Sequence, residues 1–277
     1  MTTETLLTRT INAADDEVQK NDDWLTIAAV SILAWVAADL LHEGIGHGSL
    51  ALLTGVQSGV ISTVAWSSDV DSRLVAAGGT LANLAAALVL WFGLRSAKNA
   101  TPQLRLFLLI CFAFNLFTGT GYFCFSGVTN FGDWAVVIAP MRPHWLWRIA
   151  LVVFGLAAYW GAMRAVATGI VRYVGVAPRA TDRMRDVTLV PYLTAVGLSF
   201  AAGWLNPVGV KLVFLSALPA TAGAQSGLLW LKHYIPRNAS AEHDQTAVSR
   251  SYAWIATAVV FAAIFIFVFG PGVKVHR

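Results

Sequence analysis

Apolar residues in this chain come in long unbroken runs bounded by charges and turn residues. Seven runs stand out: Trp24–Leu53, Leu74–Leu94, Leu106–Ser126, Leu146–Ala167, Val187–Leu205, Pro207–Leu231 and Tyr252–Gly270. One helical crossing of a hydrocarbon core takes about 20 apolar residues. The runs therefore predict an all-α polytopic membrane protein with about seven transmembrane helices. The first run is about 30 residues long. At ~1.5 Å per residue that exceeds a ~30 Å core, so this run must tilt, break or enter a protein-lined cavity. Only Asn206-Pro207 separates the fifth and sixth runs, which reads as a tight helical hairpin. Between the first two, residues 55–66 are rich in Gly and β-branched side chains, a pattern that predicts a small membrane-associated β-hairpin.

Composition agrees and excludes an ordinary soluble enzyme. The 277 residues are 57% hydrophobic and 12% charged, against about 25% charged in soluble domains, and the mean hydropathy is +0.63. Eleven tryptophans suit the boundary between lipid and water. The net charge of +4 comes from basic residues scattered among short loops. That distribution points to membrane lipid headgroups and to no nucleic acid partner. Counting Arg164, near the end of the fourth run, with the loop that follows, thirteen of the nineteen Lys and Arg residues lie in the N-terminus and in the loops after the second, fourth and sixth runs. The positive-inside rule then places the N-terminus in the cytoplasm. Cys111 and Cys124 share one apolar run, which argues against a disulfide framework. Residues 1–23 are polar and carry the acidic cluster Asp15, Asp16, Glu17, Asp22 and Asp23, unlike a cleavable signal peptide.

Candidate chemistry is confined to the first run, where Asp39, His42, Glu43 and His47 fall within nine residues. Each charge at mid-bilayer costs at least about 2.5–3.5 kcal/mol, so such a cluster marks a functional site by default. Imidazoles and carboxylates are zinc ligands, and a metal would neutralise the buried carboxylates. The alternative is an internally hydrogen-bonded polar plug between helices. The helical zinc motif H-E-x-x-H places its histidines at i and i+4, whereas His42 and His47 are i and i+5. On an ideal α-helix they diverge by about 140°. Sharing one ion requires a π-type turn or a helix break between Leu41 and Ser49, and Gly44, Gly46 and Gly48 ease either distortion. Asp39, one turn before His42, reads as a partner for a free imidazole N–H, or else as a helix contact or proton relay.

Leu41-His-Glu-Gly-Ile-Gly-His47-Gly48 resembles, with one residue inserted, the H-E-x-G-H signature of the site-two protease family, the intramembrane zinc metalloproteases. Gly79-Thr-Leu-Ala-Asn83 resembles the G-P-x-x-N that opens that family's next core helix, with Thr80 in place of Pro. The strand-like stretch between them is similar to the family's membrane-associated hairpin. The third signature, N-P-x-x-x-x-D-G, is not reproduced; its nearest equivalents are Asn115 and Asn130-Phe-Gly-Asp133-Trp.

The resemblance covers residues 25 to 140. It implies a metalloprotease-like three-helix core over 24–140, preceded by the polar segment 1–23 and followed over 141–277 by four additional transmembrane helices and a polar tail. It implies zinc held by His42, His47 and Asp133, with water in the fourth position, and Glu43 as general base. Asn83 and Asn115 would hydrogen-bond a substrate. Asp133 also reads as the N-cap of a helix starting at Trp134, and the asparagines as fasteners between helices. Tyr122, Asn130, Gln225 and Ser226 read as helix packing. His144 reads as interfacial beside Trp145 and Trp147, and His233, His243 and His276 as bystanders. The expected activity is proteolysis of a transmembrane protein substrate. The competing readings are a zinc hydrolase of a lipid or small amphiphile, and a non-catalytic pseudo-protease or transporter.

Overall fold

The computed structural model describes residues 22–68, 72–174, 180–207, 211, 213–234 and 247–276; the polar residues 1–21 and His243 lie outside them. Among the described residues, six helices are long and apolar enough to cross a membrane. The first run is one continuous helical rod of three parts. Helix α1 (Trp24–Leu40) starts at Asp23, whose Oδ1 accepts from the Thr26 backbone N–H at 2.9 Å. A π-helical segment (Leu41–Gly48) follows, then α2 (Ser49–Leu53). The backbone thus departs from a regular α-helix over the residues where the i, i+5 spacing demanded it.

Next come β1 (Ser58–Ile61), β2 (Trp66–Ser68), α3 (Arg73–Ser96) and α4 (Pro102–Thr129). The bundle is built around α4, whose Ile110, Phe114 and Phe117 are fully buried. Trp35 of α1 meets Phe114 edge-on at 5.3 Å, so the first and third runs form the centre of the core. The short α5 (Asp133–Ile138) precedes α6 (His144–Val174), α7 (Ala180–Trp204) and, near the end, α9 (Tyr252–Ile264).

The sixth run departs from the expected single helix. It is helical in pieces: π-helical over Val213–Ala217 and Pro219–Gly223, 3₁₀ over Ala224–Ser226, then α8 (Gly227–Trp230). Pro219 has no N–H to donate to the preceding turn. The Thr221 hydroxyl donates to the Ala217 carbonyl at 2.7 Å. Irregular apolar backbone needs protein partners, and it has them. Tyr159 Oη donates to the Ala224 carbonyl and accepts from Gly227 N–H, and Tyr192 Oη donates to the Ala222 carbonyl. Contacts at the two ends show which way the chain runs. Asn206 donates to the Gly270 carbonyl beside the sheet. At the opposite end Asp22 accepts from Arg183 and from Val248 N–H, and Gln103 donates to Ser249.

The hairpin also differs from expectation. β1 and β2 pair antiparallel, with Gly59 opposite Ser68 and Ile61 opposite Trp66, but a third strand, β3 (Val273–His276), pairs with the other edge of β1. The tail expected to be a polar appendage is therefore part of the sheet, and β2 is left as an end strand.

Candidate metal centre

The π-helical segment turns His42, Glu43 and His47 towards one point, with one ligand atom from each lying within 4.8 Å of the others. All three are buried. Helix α3 approaches this point with bare backbone: a Cβ on Gly79 would lie 2.5 Å from Nε2 of both histidines. Gly46 makes the approach possible, since its own Cβ would lie 2.6 Å from the Gly79 Cα. By contrast a Cβ on Gly44 would meet nothing within 4 Å. At Gly46 the missing side chain serves close helix contact rather than the π-turn alone.

Each imidazole is fixed by a hydrogen bond at Nδ1. His47 Nδ1 lies 2.7 Å from the Val75 carbonyl; a carbonyl can only accept, so the proton is on Nδ1. His42 Nδ1 lies 2.5 Å from Asn83 Oδ1. The orientation of that amide follows from its other partners. Asn83 Nδ2 donates to the Ala38 carbonyl at 3.1 Å and to Asn115 Oδ1 at 2.8 Å, and Asn115 Nδ2 donates to the Cys111 carbonyl at 2.8 Å. Two backbone carbonyls thus set both asparagines, and His42 must donate from Nδ1.

Both Nε2 atoms therefore carry lone pairs in the neutral tautomers, and both face Asp133. Oδ2 of Asp133 is 3.2 Å from His42 Nε2 and 3.5 Å from His47 Nε2. Two backbone reversals bring that carboxylate back after α4. Asn130 caps the helix in the left-handed conformation, and Gly132 adopts φ 81°, ψ −171°, a region open essentially to glycine alone. Asp133 is then the first residue of α5, with Gly132 as the N-cap, so the capping role suggested by sequence does not apply. Arg73 fastens the far end of α5 by donating to the Val137 carbonyl at 2.7 Å.

The distances suit ligands of one ion as well as a buried polar cluster. A charge-assisted N–H···O bond runs about 2.7–2.9 Å, shorter than either contact here. Two ligands about 2.05 Å from one tetrahedral ion stand about 3.3 Å apart, between the two observed values. His42 Nε2 and Asp133 Oδ2 are both buried without a hydrogen-bond partner. Buried orphans of this kind are rare, and one cation would satisfy them together. The residues present fit zinc.

Glu43 hydrogen-bonds the Trp66 backbone and borders a cleft of about 770 Å³, which β2, the 130–139 segment, Arg142 and His144 also line. Two expectations need correction. Asn83 and Asn115 do not face the cleft; both are fully buried and hold His42 instead. Asp39 takes no imidazole N–H, because Asn83 and the Val75 carbonyl occupy both. Sequence reasoning placed Gly79 in a motif without its close approach to the histidines, missed Val75, and assigned Tyr122 to packing although its ring lies 5.1 Å from His42 and lines the cleft. The Gly78-Gly79 pair was the one available signal, since small residues mark close helix approach. No protein family, characterised protein or solved structure matches this chain.

Proposed function

We propose that the protein is a multi-pass integral membrane zinc metallohydrolase that cleaves peptide bonds in transmembrane protein substrates. The observation that carries this reading is the convergence of two bare Nε2 atoms and one carboxylate at tetrahedral spacing, with Glu43 beside them. His42, His47 and Asp133 would hold the ion. When bound, zinc supplies a Lewis acid that lowers the pKa of its water towards 7.

Glu43 faces both the ligand atoms and the cleft, so its carboxylate can take a proton at that point and return it to the leaving amine. Asn83 and Val75 hold the imidazoles in the tautomer that offers Nε2. The apolar walls around the cluster keep water other than that entering by the cleft away from these groups. A peptide substrate is favoured over a lipid by β2: it is one of the two end strands of the sheet, and its Trp66, Ser67 and Ser68 line the cleft. An extended chain adds to such an edge as a further strand. A transmembrane substrate must unwind before doing so, because helical hydrogen bonds otherwise shield its amides.

The test is metal content beside turnover in the purified full chain. Wild type should carry about one zinc, and His42→Ala, His47→Ala and Asp133→Ala should each lose it. Glu43→Gln should keep the zinc and lose cleavage of a fluorogenic peptide containing one transmembrane helix. Equal, negligible zinc in all of them would overturn the metal reading, and loss of zinc in Glu43→Gln would make that residue a ligand.

A further inference from the structure

A second, small cavity adjoins the cleft and shares Glu43, Val64, Tyr122 and Ser216 with it. Its volume is about 30 Å³, and Asp39, Glu43, Thr63 and Ala220 are among the residues that line it. Thr63 does not border the cleft, so its surroundings belong to the small cavity alone. Its hydroxyl is buried and without a hydrogen-bond partner, as is Glu43 Oε2. Asp39 stands four residues before Glu43 on the same rod, and the two carboxyls are electrostatic neighbours. A buried hydroxyl without a partner costs about 1–3 kcal/mol. The space is enough for a water, and buried waters typically make about three hydrogen bonds to such groups. A dry cavity would leave the Thr63 hydroxyl and Glu43 Oε2 unsatisfied.

We infer that this cavity holds an ordered water bridging Asp39, Thr63 and Glu43, and that Asp39 is thereby a positioning residue for Glu43. The water anchors the Glu43 side chain from behind while its carboxylate faces the cleft. Asp39 itself touches neither metal ligands nor substrate; it acts through the water on the orientation of Glu43. This explains why a carboxyl one turn before the metal motif makes no contact with either imidazole N–H. The catalytic half of the inference rests on the proposed hydrolase function, and the water site does not.

The water is tested without any activity, in the full chain in detergent. Thr63→Val removes the hydroxyl at constant shape, and Ala220→Val fills the cavity with two methyl groups. If the water is present, both variants lose its hydrogen bonds and unfold about 2–4 °C below wild type. If the cavity is dry, Thr63→Val removes an unsatisfied hydroxyl and Ala220→Val fills a void. Both midpoints then stay or rise, which overturns the inference. The positioning role is tested with the same fluorogenic transmembrane peptide. Asp39→Leu should keep its zinc and its KM within about two-fold while kcat falls about 10–100-fold. Asp39→Asn, still able to bond the water, should recover most of that loss. Wild-type kcat in Asp39→Leu, or no recovery in Asp39→Asn, would refute the role. No cleavage by zinc-loaded wild type would instead refute the hydrolase reading and leave the thermal result standing.

Discussion

Replacing Gly79 by Ala probes the centre more sharply than removing a ligand, because it alters no donor atom. The new Cβ would stand 2.5 Å from Nε2 of both His42 and His47, whereas carbon and nitrogen at rest lie about 3.5 Å apart. About 1 Å must therefore open. The helix backbone cannot supply it easily, since Gly46 already rests against Gly78 and Gly79. Nor can the imidazoles rotate freely, as their Nδ1 atoms are tied to Asn83 and to Val75. A shift of that size is half the length of a Zn–N bond, about 2.0–2.1 Å, and destroys the convergence. We expect zinc to fall from about one per chain to trace levels, with an overpacking cost of about 1–3 kcal/mol. Gly93→Ala on the same helix is the control: its Cβ would meet nothing within 4 Å. That variant should keep its zinc and gain about 0.5–1 kcal/mol from helix propensity. Elemental analysis after metal-replete purification, with thermal unfolding in detergent, reads both. Stoichiometric zinc at wild-type affinity in Gly79→Ala would refute the placement of the ion between the two imidazoles.

Three further outcomes are expected. Asn83→Leu leaves His42 Nδ1, the Ala38 carbonyl and Asn115 Oδ1 without their partner, and zinc affinity measured by competition with a chelator should drop about 10–100-fold. Gly132→Ala forces a side chain into a glycine-only conformation at about 1–3 kcal/mol; since Asp133 follows directly, zinc should bind more weakly while Asp133 itself is intact. At the opposite end, burial works against ionisation of Asp23, but hydrogen bonds from Arg250 and Thr26 outweigh it and hold its carboxyl below the usual range. A lowered folded pKa gives stability that is complete above the unfolded value of about 3.9 and fades as pH falls through the folded one. Asp23→Asn should thus cost about 0.2–1 kcal/mol at pH 7, as expected for a largely solvated ion pair, with the difference from wild type shrinking in acid unfolding curves.

Much of this was legible from residue order because it depends on spacing along one segment. Apolar run length announced the long helices. Four ionisable groups within nine residues of an apolar run marked the place of chemistry, and the i, i+5 spacing of His42 and His47 called for the π-helical turn that the backbone makes at Leu41–Gly48. What tertiary structure decided are relations between segments that share no periodicity. Asn83 and Asn115 are polar residues on apolar helices, a pattern equally suited to substrate contact or helix packing; only the meeting of α1, α3 and α4 turned both towards His42. The Val75 carbonyl carries no side-chain signal at all, and the bare face of Gly79 shows in sequence only as a pair of small residues. β3 joined the sheet because the last helix ends beside β1, and the sixth run broke into π and 3₁₀ turns because neighbouring side chains satisfy its backbone. Local sequence determines which backbone groups need partners, and the packing of distant helices determines which partners they find.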